Sequence, residues 1–200
     1  MLKATKLMLP IIAVKAGRRN HLLDIDPKNI GKAFDMLIDG RYKKAEYPMI
    51  EAKYRNRTMI AFNEIGITSA QPQSIIVGLK YGKDSLRLEG DGVLVSTPQG
   101  STGWAFSANG VYLDSRSEAF ILTVLNPVMN PLRSIVIPEV DIELELHDKG
   151  YLEHVNIVVD GMIAGKMNRN NKIKIKKSSN KTVIYRFFST DPIKEMLKGS

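Results

Sequence analysis

The sequence predicts a mainly β protein, antiparallel, with a short α/β fragment at its N-terminus and a short C-terminal helix. From Tyr47 onward, apolar and polar residues alternate in ten short segments separated by turn residues. Alternation of period two is typical of strands with one buried face. Strands of this number and length indicate a sandwich or a barrel. The 200 residues, 44% of them hydrophobic, can form one core, or one core and a small annex.

The N-terminal fragment is predicted to be a buried strand followed by one amphipathic helix. The strand covers residues 9–14. Asp26 and Pro27 form a typical helix start, a capping carboxylate with proline at the first helical position. Gly40 supplies the stop signal. Helical spacing then predicts an apolar face made of Ile30, Phe34, Leu37 and Ile38.

The β region is clearest where Ile142, Leu144 and Leu146 alternate with acidic residues, the pattern of a half-buried antiparallel strand. A final segment at 191–198 starts with Asp-Pro and predicts a short helix. The predicted strands cover residues 47–55, 58–68, 74–81, 84–97, 119–125, 133–137, 141–147, 154–159, 172–177 and 182–188.

The composition of the chain excludes several kinds of site and favours an anionic partner. Cysteine is absent, which excludes disulfides and thiolate metal sites, and no apolar run is long enough to cross a bilayer. We therefore expect a soluble cytoplasmic protein with no membrane partner. The net charge of +8 favours an anionic partner. Lysines cluster in residues 166–177, but period-two alternation accounts for them, and the aromatic residues of a nucleic-acid surface are not interleaved there.

Residues 90–110 differ in kind from the surrounding strands. An apolar strand ends in a loop of hydroxyls and glycines, and a short helical stretch follows. We expect backbone N–H groups and the hydroxyls of Ser101 and Thr102 at a helix N-terminus, where a phosphate or a ribose is favourably held. Trp104, the only tryptophan, offers an aromatic face for a base, and Asp91 offers a hydrogen-bond acceptor. The same residues also fit a capped strand-to-helix connection with a core tryptophan, and composition leaves both readings open.

This stretch resembles the signature of the NAD kinase family: Asp-Gly, a short apolar strand, Ser-Thr-Pro-x-Gly-Ser-Thr-Ala-Tyr and a Ser-Ala-Gly-Gly tail. The family's Asn-Glu pair at a strand end is matched by Asn63 and Glu64. Residues 133–138 (Arg-Ser-Ile-Val-Ile-Pro) and the turn Val159-Asp160-Gly161 are similar to later family motifs, in the same order. The matching signature residues are Asp91, Gly92, Ser96, Thr97, Pro98, Gly100, Ser101, Thr102, Gly103, Trp104, Ser107, Ala108 and Gly110.

The resemblance implies a β-sandwich of the NAD kinase C-terminal type. Residues 1–45 would then be the remnant of an α/β nucleotide domain, 46–190 the NAD-binding sandwich and 191–200 the C-terminal helix. It also implies a homo-oligomer, a dimer or tetramer. The implied activity is phosphorylation of the adenosine-ribose 2′-hydroxyl of NAD by ATP or polyphosphate to give NADP, with Mg²⁺ arriving on the nucleotide.

Site residues follow from the resemblance position by position. Asn63 and Glu64 would hold the adenosine ribose, since an amide beside a carboxylate can pair with vicinal hydroxyls. Asp91 would reach a base or ribose, in its own subunit or across a subunit interface. Strand-end turns are the structural alternative for the Asn-Glu pair, because asparagine is common in turns.

The remaining implied contacts lie in the hydroxyl-rich loop. Thr102 would contact the adenine, and Gly103, Trp104 and Ser107 would line the dinucleotide pocket. Gly103-Trp104 replaces the family's Ala-Tyr, which keeps an aromatic face but loses the phenol hydroxyl.

Two further departures affect the chemistry. The family's Gly-Gly-Asp-Gly motif, with its catalytic aspartate, is expected just before Leu2, so no catalytic residue is assigned and weak or no activity is expected of this chain alone. In the loop at 16–22, Asn20 and His21 replace a small residue and an aromatic wall. Neither His147 nor His154 has a partner at metal spacing, so no metal site is predicted. The alternative function is a non-catalytic dinucleotide-binding or oligomerisation module.

Overall fold

The structure is a computed structural model, and it describes residues 7–16, 22–128, 132–147 and 154–188. The chain divides into two compact units. Unit 1 contains Met1–Tyr47 and Lys181–Ser200, and unit 2 contains Pro48–Asn180. The predicted C-terminal helix and the central residues of the loop at 16–22, Asn20 and His21 included, lie outside the described residues.

Unit 1 joins segments that are far apart in the sequence. Strand β1 (Ile11–Ile12) pairs in parallel with the end of β13 (Lys172–Arg186), with Ile11 opposite Ile184. Its buried residues include Ile25, Ala33 and Phe187. The prediction of a buried strand over residues 9–14 was wrong in extent, because β1 contains only Ile11 and Ile12, Val14 makes an isolated bridge to Ile25, and Leu9 is 60% exposed.

The helix of unit 1 begins with a 3-10 turn at Pro27–Asn29 and continues as α1 (Ile30–Ile38). Asp26 makes no capping hydrogen bond through its side chain, so proline rather than a carboxylate cap sets the helix start. Gly40 follows the helix with φ of +69°, which confirms the predicted stop. Three residues of the predicted apolar face are exposed, namely Ile30, Phe34 and Ile38, while Ala33 is buried. No helix in the described ranges is long and apolar enough to cross a bilayer.

The strands of unit 2 belong to two sheets, with order β3-β2-β13-β10-β5-β6 in the first and β12-β11-β4-β7-β8-β9 in the second. Adjacent strands of the second sheet run antiparallel. The strands are β2 (Lys43–Tyr54), β3 (Arg57–Ala61), β4 (Glu64–Ser69), β5 (Ile75–Tyr81), β6 (Asp84–Gly90), β7 (Gly92–Ser96), β8 (Ala119–Leu125), β9 (Ser134–Pro138), β10 (Ile142–His147), β11 (His154–Val159) and β12 (Met162–Asn168).

One apolar core lies between the two sheets. Leu144 and Ile173 contribute from the first sheet, and Ile65 and Phe120 from the second; each is at most 1% exposed. The alternation seen in residues 141–147 is confirmed, since the apolar positions of β10 are buried and its acidic positions lie on the outer face. The architecture is therefore the predicted mainly antiparallel β-sandwich.

Strand boundaries differ from the prediction in several places, and β2 begins at Lys43, four residues before the predicted start. Residues 58–68 and 84–97 each form two strands, broken at residues 62–63 and at Asp91, because the chain passes from the first sheet to the second at each break. The predicted strands 172–177 and 182–188 are one continuous strand, β13. Strand β12 was missed, because its sequence lacks strict alternation and it pairs with β11 across a register shift.

Candidate functional site

Two segments of unit 2 contact the break between β3 and β4, at residues 62–63, and the first residue of β4, Glu64. The first is the β11–β12 hairpin, whose two turn residues Asp160 and Gly161 both have positive φ, +49° and +75°. Val159 pairs with Met162 across this two-residue turn. An Asp-Gly pair is favoured in such a turn because its backbone twist matches that of the flanking strands.

The carboxylate of Asp160 is buried against the break. It accepts the backbone N–H groups of Phe62 (3.1 Å), Asn63 (2.7 Å) and Glu64 (3.3 Å). In return, the N–H of Asp160 donates to the carbonyl of Glu64 (2.9 Å). Three consecutive amides that would be unpaired at a strand break are thereby satisfied by one side chain.

The loop after β7 donates hydrogen bonds to the carbonyl groups of Phe62 and Asn63. Thr97 donates its N–H to the carbonyl of Asn63 (2.8 Å) and its hydroxyl to that of Phe62 (2.7 Å). The side-chain amide of Gln99 also donates to the Phe62 carbonyl (2.7 Å). Glycine is required at Gly100, since a Cβ there would lie only 2.8 Å from the Cα of Asn63.

Asn63 is thus fixed through its backbone while its side chain is left available. The residue is partly exposed, and its side-chain amide makes no hydrogen bond to the described residues. An amide presents two donors and an acceptor, the groups needed to pair with hydroxyls of a sugar. The geometry therefore fits a ligand-binding asparagine.

Glu64 occupies a different environment, since it is only 3% exposed. Its Oε2 atom makes no hydrogen bond within the described part of the chain and faces Gly103, where a Cβ would lie 3.4 Å away. Burial, followed by the charge of Asp160, raises the pKa of Glu64 to about 7, although the N–H of Gly161 acts to lower it. Near neutral pH this carboxyl group therefore exists in both protonation states.

The hydroxyl groups of Ser101 and Thr102 form hydrogen bonds with backbone groups of the protein. A 3-10 turn at Gln99–Thr102 precedes helix α2 (Trp104–Ser107), which confirms the predicted helical stretch. Ser101 is fully buried, and its hydroxyl bridges the N–H and carbonyl of Leu113 (3.0 and 3.1 Å). The hydroxyl of Thr102 donates to the carbonyl of Gln99 (3.1 Å). Both hydroxyls therefore lie just before a helix, as predicted, and both form hydrogen bonds within the loop region.

A cavity of about 470 Å³ lies beside α2, lined by Asp91, Trp104, Ser107 and Arg133 among others. Trp104 is partly buried and packs on an apolar cluster that contains Leu94. The carboxylate of Asp91 accepts a hydrogen bond from the Asn126 side chain (2.6 Å). The cavity thus combines an aromatic face, a carboxylate and an exposed guanidinium, a mixture suited to a base, a sugar and a phosphate.

The seven predicted site residues form two groups in the structure. Asp91, Trp104 and Ser107 share the cavity, whereas Asn63, Glu64, Thr102 and Gly103 are not among its lining residues. Within the described ranges, no three His, Asp or Glu side chains come together as a metal site.

Sequence reasoning missed two side chains at these sites. In the sequence, Asp160 stands out only as part of a turn motif, and Arg133 only as part of a strand that matches a family motif. The Asp-Gly dipeptide between two apolar runs was a usable signal for the turn, but nothing local indicated which backbone its carboxylate would contact.

Comparison with known proteins identifies the relatives of this fold. The ATP-NAD kinase C-terminal domain family matches residues 62–187. The NAD kinase of Saccharolobus solfataricus is 41% identical over 197 residues, covering 98% of this chain and 79% of that protein. The NAD kinase of Sulfurisphaera tokodaii is 38% identical over 192 residues, covering 94% and 77%.

Two solved structures share the architecture. An NAD kinase from Archaeoglobus fulgidus in complex with ATP has a TM-score of 0.79 at 25% identity, covering 95% of this chain and 73% of that chain. Yeast NADH kinase complexed with NADH has a TM-score of 0.82 at 21% identity, covering 95% of this chain and 58% of the yeast chain. The yeast likeness concerns the fold alone.

Proposed function

The chain belongs to the NAD kinase family, and on that basis we propose that it binds NAD and serves its phosphorylation to NADP. The observation that supports this most directly is Asn63. Its backbone is held on both sides by Asp160 and Thr97, while its side-chain amide has no partner within the described residues. A fixed backbone that presents a free amide is the arrangement expected of a residue that orients a sugar.

In this proposal Asn63 and Glu64 hold the adenosine ribose. Glu64 contributes through its one carboxyl oxygen that lacks a partner in the described part of the chain. At a pKa of about 7, its protonated form can donate a hydrogen bond and its ionised form can accept one from a ribose hydroxyl. Thr102 and Gly103 complete this side of the site beside the adenine.

The neighbouring cavity receives the rest of the dinucleotide. Trp104 offers a ring face to a base, and Asp91 and Ser107 offer polar groups to a sugar or base. Arg133 is exposed at the same cavity, where its guanidinium can pair with a phosphate oxygen. The same proposal includes a homo-oligomer in which Asp91 contacts the dinucleotide across a subunit interface. It also includes a cytoplasmic location for the protein.

The reaction is a phosphoryl transfer. The 2′-oxygen of the adenosine ribose bonds to the terminal phosphorus of ATP or polyphosphate, the bond to the bridging oxygen breaks, and the hydroxyl proton passes to a base. Mg²⁺ bound to the nucleotide would neutralise phosphate charge. The residues named above bind and orient NAD, and none of them is assigned as the base.

Binding of NAD and NADP is tested by titration calorimetry, with the fluorescence of Trp104 as a second signal. Asn63→Ala removes the free amide and is expected to weaken NAD about tenfold or more, the usual effect of losing a good hydrogen bond to a ligand. Asn168→Ala is the matched control, since Asn168 is exposed on β12 and does not line the cavity. NADP formation is then measured with ATP and with polyphosphate in the presence of Mg²⁺.

The results separate the two candidate functions. Saturable NAD binding that Asn63→Ala weakens and Asn168→Ala leaves unchanged, together with NADP formation, supports an NAD kinase. The same binding with no NADP from either donor supports the non-catalytic dinucleotide-binding module. Wild-type protein that binds neither dinucleotide refutes both.

A further inference from the structure

We propose that Asp160 is a positioning residue of the dinucleotide site, which fixes the backbone of Asn63 and Glu64 in the conformation that meets NAD. The inference rests on the proposed function and extends it to a residue that need not touch the ligand. Asp160 lies 97 residues beyond Asn63 in the sequence, yet its carboxylate is 2.7 Å from the Asn63 nitrogen.

The contact is specific to a carboxylate. Oδ1 accepts the N–H groups of Asn63 and Glu64, and Oδ2 accepts that of Phe62. An asparagine at position 160 could satisfy the first two with its oxygen, but its NH₂ group would then face the third donor. Two acceptor oxygens are therefore needed to satisfy all three amides.

The hairpin holds this carboxylate in place. Asp160 has a φ of +49° in a two-residue turn, and its own N–H is bonded to the Glu64 carbonyl. The turn and the strand break therefore hold each other through both backbone and side chain. Because Thr97 also donates to the Asn63 carbonyl, the peptide groups on both sides of the Asn63 Cα have little freedom to rotate.

Asp160 also acts on Glu64 through its charge, which gives a second readout. Among the described residues, Asp160 is the one charged group that perturbs Glu64, while Gly161 supplies an N–H and Ser96 pairs with Glu64 on the neighbouring strand. Replacing Asp160 by asparagine should lower the pKa of Glu64, yet leave it above its ordinary value, because burial is the larger cause. A purely structural loss elsewhere would not produce this change.

The experiment compares wild type with Asp160→Asn and Asp160→Ala. NAD affinity is measured by calorimetry, the backbone amide shifts of residues 62–64 by ¹⁵N NMR, and the titration of Glu64 by carboxyl ¹³C NMR. Asp24→Asn is the matched control. Asp24 is another buried carboxylate that accepts consecutive backbone N–H groups, those of Phe187 and Phe188 (2.6 and 2.9 Å), and it is not among the groups that act on Glu64.

We expect NAD affinity to fall about threefold to tenfold in Asp160→Asn and more in Asp160→Ala, with Asp24→Asn within about twofold of wild type. The amide resonances of residues 62–64 should move, and the Glu64 titration should shift to lower pH, only in the Asp160 variants. If Asp160→Ala does not fold, Asp160→Asn gives the result alone.

Three outcomes overturn the inference in distinguishable ways. Wild type that binds NAD together with an Asp160→Asn variant of equal affinity refutes the positioning role but leaves the proposed function standing. Wild type that shows no NAD binding refutes the proposed function and the positioning role with it. An affinity loss in Asp24→Asn as large as in Asp160→Asn also refutes the role, because general destabilisation would then explain both.

Discussion

Glu64→Gln is predicted to change the way in which the stability of the protein depends on pH. Glu64 is buried beside a second carboxylate, and its pKa rises from an ordinary value of 4.5 to about 7. A carboxyl group with a raised pKa binds its proton more tightly in the folded protein than in the unfolded chain. Stability is therefore highest while Glu64 is protonated and falls as the pH rises from about 4.5 to about 7.

The size of the effect follows from the shift. Each pKa unit corresponds to about 1.4 kcal/mol, so the difference between 4.5 and about 7 amounts to about 3 kcal/mol in the free energy of unfolding. Glutamine has nearly the shape of protonated glutamic acid and carries no charge at any pH. The Gln variant should gain about 3 kcal/mol relative to wild type between pH 4.5 and pH 8.

Urea denaturation across this pH range measures the effect directly. The informative quantity is the difference between variant and wild type at each pH, because other titrating groups cancel in it. Glu118→Gln is the control, since it makes the same substitution at an exposed glutamate. Curves for Glu64→Gln that stay parallel to wild type between pH 4.5 and 8 would refute the reasoning, and so would a shift of the opposite sign.

Two further predictions concern packing. Gly100→Ala should abolish NAD binding and destabilise the protein by several kcal/mol, because its Cβ would collide with the backbone of Asn63. Gly31→Ala is the control, since it lies at an open helical position, and it should stabilise the protein by about 1 kcal/mol. Loss of binding equal in both variants would contradict the steric explanation. Leu144→Ala should reduce the free energy of unfolding by about 2–5 kcal/mol, because Leu144 is buried in the core. Val136→Ala, at an exposed position, should cost about 0.5 kcal/mol or less. Both are measured by urea denaturation, and equal effects would contradict the assignment of Leu144 to the core.

The sandwich could be predicted because its strongest strands follow local rules. Strand β10 alternates without interruption, and its predicted range differs from the observed one by a single residue. Strand β12 could not be found that way, because its pairing with β11 includes a bulge and its sequence mixes Met, Gly and Lys. The exposed face of α1 also escaped prediction, since the spacing of Ile30, Phe34 and Ile38 gives no indication of whether a partner covers them.

The site was predictable only in part, for a similar reason. Family resemblance pointed to Asn63 and Glu64, and their roles toward NAD remain predictions. The contact between Asp160 and the backbone at residues 62–64 depends on tertiary structure, which joins groups almost a hundred residues apart. Likewise, the burial that sets the pKa of Glu64 arises from the packing of separate segments and leaves no mark on the local sequence.

The pairing of Ile11 with Ile184 has a consequence for the order of events during synthesis. At about 5–20 residues per second, the partner of β1 leaves the ribosome about 10–35 s after β1 itself. Residues 48–180 are contiguous and become available for folding before that moment. During this interval, apolar residues of the early segment of unit 1, such as Ile11 and Ile25, remain exposed to solvent. Chaperone binding to the nascent chain would protect it most during this interval.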